Sequence, residues 1–229
     1  GVKMFSPVFA LSTSAAAEII NTAGNQFIEK EVLDIDEEAF RENKIAAKLY
    51  GYLKVPKNIA LLQGKKEPSN VSKPEEDIKE EIADYLLENL GKETLYILGP
   101  GTTLKIIADK MGVEKTLLGI DAVFNGELVG KDLNEKGLLT LIKIYNKSTI
   151  IVTPIGGNGF IFGRASKQFT PEVLRLIGKE NIVVVATEDK INKLECLRLD
   201  TGNIEVDTSL CGFTKVITAY KKETIIEVK

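Results

Sequence analysis

Three apolar runs constrain the fold most: "TLYIL" (residues 94–98), "TIIV" (149–152) and "NIVVVAT" (181–187). A strand with one wet face alternates apolar and polar residues; these runs do not alternate. They fit strands buried on both faces, as in a parallel sheet covered by helices. Helical patterns separate them. "EEDIKEEIADYLLENLG" places Ile78, Ile82, Tyr85, Leu86 and Leu90 on one stripe and closes on Gly91. "LKIIADKMG", "EKGLLTLIKIY" and "EDKINKL" read as further helices, and "TPEVLRLIG" offers Thr170 as cap with proline at the first helical position. "KTLLGIDAVF" and "ELVGKDL" read as strands joined by an Asn125-Gly126 turn. The last segment, from Leu197 to Val228, ends in two alternating strands.

The first part of the chain differs in character. "VKMFSPVFALS" reads as extended, and "TSAAAEIINTAG" as a helix capped by Ser12 or Thr13 and closed by Gly24. "QFIEKEVLDI" and "KIAAKLYGYLKV" read as strands, with Ala46, Lys48, Tyr50 and Tyr52 on one face of the second. The polar stretch Gly64 to Asp77, with two prolines, reads as a linker or mobile loop. The expected fold is therefore α/β: a β-rich N-terminal part followed by a mostly parallel sheet covered by helices. The expected boundaries are 1–64 for the β-rich segment with one helix, 65–74 for the linker, and 75–229 for an α/β substrate-binding domain.

Composition excludes several function classes. Of 229 residues, 44% are hydrophobic and 28% charged, enough apolar material for a core in a soluble chain. A net charge of −3 argues against a nucleic-acid surface. No apolar run reaches membrane-spanning length. Two cysteines, Cys196 and Cys211, make no disulfide framework, so the expected compartment is the cytoplasm. Abundant Lys, Glu and Ile without Trp fit a heat-adapted source. There is no histidine, which removes Ser-His-Asp and Cys-His nucleophiles and histidine metal sites. Chemistry falls to carboxylates, lysine, hydroxyls, backbone amides or a borrowed cation. The opening Gly1-Val2-Lys3-Met4 reads as that of a fragment, a processed chain or one product of a split gene.

Four constellations are candidates for a site. In "LYILGPGTTLKII", Gly99 and Gly101 admit a ligand close to the backbone, and Thr102 and Thr103 stand at a helix N-terminus, where amides and dipole favour an anion such as phosphate. A plain strand-to-helix turn capped by Thr102 is the alternative. In "IIVTPIGGNGFIFGR", Gly156, Gly157, Gly159 and Gly163 fall within eight positions, flanked by Thr153-Pro154 and Arg164. Ligand binding, with Thr153 as hydrogen-bonding group and Arg164 as a bidentate phosphate partner, explains that density better than a hairpin or bulge does. In "GKDLNE", Asp132, Asn134 and Glu135 are ordinary helix caps singly, and together can hold ribose hydroxyls or an amide. In "LDTGNIEVD", Asp200 and Asp207 flank a turn centred on Thr201-Gly202-Asn203; a solvated turn is favoured there over water-mediated Mg²⁺. Asp34 and Asp36 carry the same ambiguity.

Taken in order, "GVKMFSPVFALS", "LDIDEEAFRE", "LYGYLKVP", "LYILGPGTT", "KTLLGIDAV", "VTPIGGNGFIFGR", "VVVAT" and "LDTGN" resemble the C-terminal portion of the ATP-NAD kinase-like family, in the branch with the acetoin-catabolism X proteins and many archaeal members. The resemblance implies phosphorylation of NAD to NADP, with Mg²⁺ and ATP or polyphosphate. It also implies an N-terminal domain carrying a Gly-Gly-Asp-Gly-Thr loop that binds the donor and supplies the catalytic aspartate. No such string occurs here, so a missing N-terminal domain or partner chain is expected to supply it, and a homo-oligomer is expected. Asn134-Glu135 matches the family's nucleotide-contacting pair. Thr153, Pro154 and Gly156 match its Thr-Pro-Thr-Gly-Ser segment, whereas Ile155 and Gly157 depart from it. The strand-"GPGTT"-helix order is similar also to sugar-phosphate isomerases, which leaves phosphometabolite binding without kinase activity as the alternative. A third reading is a domain that mainly supports dimerisation.

Overall fold

The computed structural model describes residues 2–24, 26–36, 39, 46–57, 62 and 73–229. Most of the expected linker, 65–72, lies outside the described residues. The chain divides into two compact units: Gly1–Asn70 with Gly156–Asn158, and Val71–Ile155 with Gly159–Lys229.

In the first unit, the opening stretch is not extended as expected: Val2–Phe5 forms a helical turn (α1). Phe5 is fully buried, and the buried Ser6 hydroxyl joins this segment to Leu33, accepting from its N–H and donating to its carbonyl at 2.8 Å each. Burial of these two residues overrides the extended pattern. Helix α2 (Thr13–Thr22) is capped by Ser12, whose side chain accepts from the Ala15 N–H. Strands β1 (Phe27–Ile35) and β2 (Ala47–Pro56) pair antiparallel. Their register shifts at Val32/Leu33, with Val32 opposite Gly51 and Leu33 opposite Leu49, so Tyr50 is the extra residue of a bulge. The core of this unit is small: Ile19, Val55 and Leu62, with Val8, Ala10 and Ile28 against them. Phe27, Leu49, Tyr50, Tyr52 and Leu53 are exposed.

The second unit is a mixed α/β layer structure. Its elements are α3 (Lys73–Glu88), β3 (Leu95–Leu98), α4 (Thr102–Lys110), β4 (Asp121–Phe124), β5 (Glu127–Gly130), α5 (Glu135–Ile144), β6 (Ser148–Val152), β7 (Phe160–Phe162), α6 (Pro171–Ile177), β8 (Ile182–Val185), α7 (Glu188–Asn192), β9 (Arg198–Leu199), α8 (Ile204–Leu210), β10 (Gly212–Ala219) and β11 (Lys222–Val228). Lys73 and Pro74, expected in the linker, already belong to α3. Seven strands form one sheet in the order β11-β10-β8-β6-β3-β4-β5. The centre is parallel (β10–β8, β8–β6, β6–β3), and antiparallel hairpins close both edges. Asn125 (φ 50°) and Gly126 (φ 82°) form the expected tight turn between β4 and β5.

Both sheet faces are covered, which is why the central strands do not alternate. Leu95, Ile97, Ile150, Val152 and Val184 face a core closed by Leu138 of α5, Val173, Leu174 and Ile177 of α6, and Val206 and Leu210 of α8. Tyr96, Leu98, Ile151 and Val185 face the other core, closed by Ile82, Ala83 and Leu86 of α3 and Leu104, Ile107 and Ala108 of α4. Strand β3 leads through α4 to β4 on one side of the sheet; its neighbour β6 leads to β8 on the other. The carboxyl ends of β3 and β6 thus meet at a topological switch point, where open α/β sheets place ligands.

Candidate functional site

Three of the four sequence constellations lie at this carboxyl edge. "GPGTT" follows β3 and "TPIGG" follows β6, its parallel neighbour. "KDLNE" follows β5, which is antiparallel to β4 as β4 is to β3, so it reaches the same edge.

Gly99 donates its N–H to the Ile151 carbonyl (2.9 Å), and a Cβ there would sit 3.1 Å from Val152 Cγ1. Gly101 has φ 122° and donates its N–H to the Leu117 carbonyl (2.9 Å). A Cβ on Gly101 would sit 3.0 Å from Thr153 Cγ2, so the two motifs touch. Gly101, not Thr102, is the N-cap of α4, and it offers no side chain to cap that helix. The first intrahelical bond runs from Lys105 N–H to Gly101, so the first-turn amides have no intrahelical acceptor. Thr103 is buried and Thr102 half-buried.

Thr153 is 5% exposed, and its Oγ1 has no hydrogen-bond partner among the described residues. An orphaned buried hydroxyl is costly unless a ligand satisfies it. Pro154 is buried, and Ile155 bridges back to Phe160, its N–H donating to the Phe160 carbonyl at 2.8 Å. Within this loop Gly156 and Gly159 take positive φ (64° and 75°), and Gly157 is exposed. Gly159 and Gly163 have a packing reason of their own. A Cβ on Gly159 would lie 2.5 Å from the Cys196 carbonyl oxygen, and one on Gly163 would overlap the Asp200 carbonyl. Both contacts follow from the parallel pairing of β7 with β9. Arg164 is buried; its Nε donates to Asp200 Oδ2 (2.8 Å) and its guanidinium lies 4.2 Å from the Phe160 ring centroid. Asp207 accepts from the Thr201 hydroxyl (2.6 Å).

Asn134 caps α5, accepting from the Gly137 N–H at 3.0 Å; Glu135 is exposed in the first turn. Sequence reasoning missed what holds this edge together. Asp121, fully buried at the start of β4, accepts from the Thr116 N–H (2.7 Å) and hydroxyl (2.8 Å) and from the Asp132 N–H (2.7 Å). Lys115 Nζ stands 3.4 Å from the same carboxylate and donates to the Thr116 and Gly119 carbonyls. Leu117 of that connection binds Gly101, and Ile120 binds the Leu133 N–H. The buried pair therefore fixes both "GPGTT" and "KDLNE". Its signal in the sequence is Lys and Asp closing an otherwise apolar "KTLLGID" run.

Burial pushes the Lys115 amine down to about 8 against the pull of Asp121. Below that pH both folded and unfolded chains hold the proton. Between about 8 and 10.5 the unfolded chain still holds the proton that the folded chain has released, so stability rises with pH. Urea midpoints measured from pH 7.5 to 10.5 should rise for the native chain relative to Lys115→Met, which lacks the titrating group. Parallel curves would refute the assignment.

Lys79 was also unforeseen. It is 3% exposed on α3, 2.9 Å from Glu75 Oε1, and its Nζ lies 3.5 Å from Thr102 Oγ1. A cavity of about 700 Å³ lies at the opposite end of β3, lined by Leu87, Leu90, Tyr96, Met111, Val123 and Gly126, and contains none of the candidate site residues. Among the described residues, no group of three or more His, Cys, Asp or Glu could hold a metal. Both oxygens of Asp121, and Oδ2 of Asp200, are engaged as above. These residues therefore do not fit a Mg²⁺ site, and no step through the metal is assigned to them.

The covered α/β sheet thus carries glycine loops at its switch point, and beside them a buried hydroxyl without a partner among the described residues. Residues 92–228, more than half of the chain, match the ATP-NAD kinase C-terminal domain, and the chain belongs to that family. No curated protein and no solved structure matches the chain. Among the described residues no helix is long and apolar enough to cross a membrane.

Proposed function

We propose that the chain is the acceptor-binding part of a small-molecule kinase, most simply one that phosphorylates NAD to NADP from ATP or polyphosphate. The observation that carries this reading is the buried Thr153 hydroxyl, without a partner among the described residues, on a side chain whose methyl lies against Gly101 at the sheet's switch point. Family membership supplies the nucleotide class. In this reading Gly99, Gly101, Thr102 and Thr103 take a phosphate of the acceptor, and Thr153, Pro154, Gly156 and Gly157 line the nucleotide. Asn134 and Glu135 lie at the same edge for the ribose. Gly159 and Arg164 shape the loop: Arg164, held by Asp200, acts through position unless a ligand displaces that carboxylate. The donor site, its Mg²⁺ and the base come from a Gly-Gly-Asp-Gly-Thr segment on an N-terminal domain or partner chain. Residues 1–64 complete that domain in this reading; the exposed Phe27, Leu49, Tyr50, Tyr52 and Leu53 support it as surface to be covered. Self-association would use exposed Phe213 and Ile225 on the edge hairpin.

Such transfer proceeds by positioning and charge stabilisation, so a chain without histidine can take part. The test is NADP formation with ATP or polyphosphate, by the chain alone and with a donor-binding partner. Product is expected only from the pair; a reconstituted pair that binds ATP and NAD yet makes no NADP would overturn the substrate assignment. One observation favours phosphometabolite binding without transfer: among the described residues, the buried carboxylate at this edge, Asp121, is already committed to other partners. Calorimetry with NAD, ATP and sugar phosphates separates the two readings, since sugar phosphate bound in the absence of nucleotide binding favours the second.

A further inference from the structure

The N-terminus of α4 is the positive pole of a nine-residue helix, and its N-cap, Gly101, has no side chain to cap it. A lysine amine is the wrong charge for such a pole. Yet Lys79, 3% exposed, holds its Nζ 3.5 Å from the hydroxyl of Thr102, the first residue of that helix. The helix amides, the dipole and a buried ammonium thus converge at Thr102. The carboxylate within ion-pair distance of Lys79 is Glu75, one turn earlier on α3 and 31% exposed at its side chain. It faces the amine from Lys79's own helix and from the wetter side.

A second observation is independent of the helix end. The Thr153 side chain lies against Gly101, the N-cap residue, and its buried Oγ1 has no partner among the described residues. A positive helix pole and a buried amine beside it, next to the side chain that carries the unused hydroxyl, suit a group with several anionic oxygens. A spherical amine suits phosphate as a point charge, and backbone amides supply the direction.

We infer that Lys79 is a phosphate-recognising residue, that a phosphate group of the ligand contacts both its amine and the first turn of α4, near Thr153, and that Glu75 is the internal competitor it displaces. The inference deepens the acceptor-binding reading and rests on it for the choice of phosphate. Glu75 then sets selectivity as well. A weak monoanion such as acetate cannot outcompete a tethered carboxylate, whereas a group of charge near −2 can.

The experiment uses the full chain and pyrophosphate as the probe, with acetate as control, read by calorimetry and by the ligand-dependent shift of the melting temperature. The native chain should bind pyrophosphate and not acetate. Lys79→Gln should weaken pyrophosphate binding by about tenfold or more, and Lys79→Arg should restore part of it. Glu75→Gln should tighten binding several-fold and give a larger melting shift per unit of pyrophosphate than the native chain. Equal affinity in native and Lys79→Gln chains would overturn the inference. If Lys79→Gln does not fold, Glu75→Gln decides alone: binding no tighter than native overturns it. A native chain that binds pyrophosphate through Lys79 but does not bind NAD leaves this site standing and overturns the acceptor assignment instead. Native binding of NAD that Lys79→Gln leaves unchanged does the reverse.

Discussion

Asp121→Ala is expected to cost about 3–5 kcal/mol of stability, the range for removing one partner of a buried ion pair. The pair is fully enclosed, with both side chains at 0% exposure. Removing the carboxylate leaves the Lys115 ammonium facing only the Thr116 and Gly119 carbonyls. It also strips the Thr116 N–H, the Thr116 hydroxyl and the Asp132 N–H of their acceptor. Each of these partly buried donors left without a partner adds to the cost in proportion to its burial. Guanidinium unfolding followed by circular dichroism measures the loss. A cost below about 1 kcal/mol would mean that the pair carries little of this edge. The double variant Lys115→Met/Asp121→Leu separates charge from shape. It removes both ions at similar volume, and replacement of such pairs by apolar residues is often neutral, so it should recover much of the loss. Pyrophosphate or nucleotide binding should still fall in that variant, because the bonds from residues 116–121 to Asp132, and the setting of Leu117 against Gly101, depend on the polar staple.

The layered sheet was legible because its signal is local. "IVVVAT" must be buried on both faces, and Val184 and Val185 do turn to opposite cores. The stripe Ile78, Ile82, Leu86 and Leu90 packs as its period demands. Asn125-Gly126 and Thr170-Pro171 took their expected turn and cap. Helix α8 was hidden by its own pattern: "NIEVD" alternates like a strand, although Asn203 sits three residues before Val206 and caps it (3.1 Å). Lys79 was invisible for a different reason. In "EEDIKEEIAD" it looks like any other charge on a solvated helix face, and only the packing of α3 beside α4 buries it. The Thr153 motif was singled out by composition, but its orphaned hydroxyl is a tertiary fact. The glycine density of residues 156–163 likewise held two causes that sequence cannot separate: positive φ at Gly156, and backbone crowding at Gly159 and Gly163.

Gly163→Ala is the sharper test of that crowding, with an expected loss of roughly 2–5 kcal/mol. Gly163 has φ 90°, a conformation that L side chains rarely adopt. The added methyl would also overlap the Asp200 carbonyl, which is backbone and cannot rotate away. Relief requires β7 and β9 to separate, yet Asp200 N–H donates to the Phe162 carbonyl (3.2 Å) and Arg198 N–H to that of Gly159 (2.9 Å). Moving Asp200 further pulls on Arg164, whose Nε it holds at 2.8 Å over the Phe160 ring. Phe160 and Phe162 belong to the buried core, so the strain is transmitted rather than absorbed. Gly157→Ala is the matched control: no atom of the described residues lies within 4 Å of the Cβ it would add, and its φ is not positive. It should fold like the native chain. If Gly157→Ala nevertheless weakens nucleotide binding while Gly163→Ala weakens stability first, the loop's glycines divide into one set that meets the ligand and one set that fits the fold. Equal melting temperatures for the two variants would reject that division.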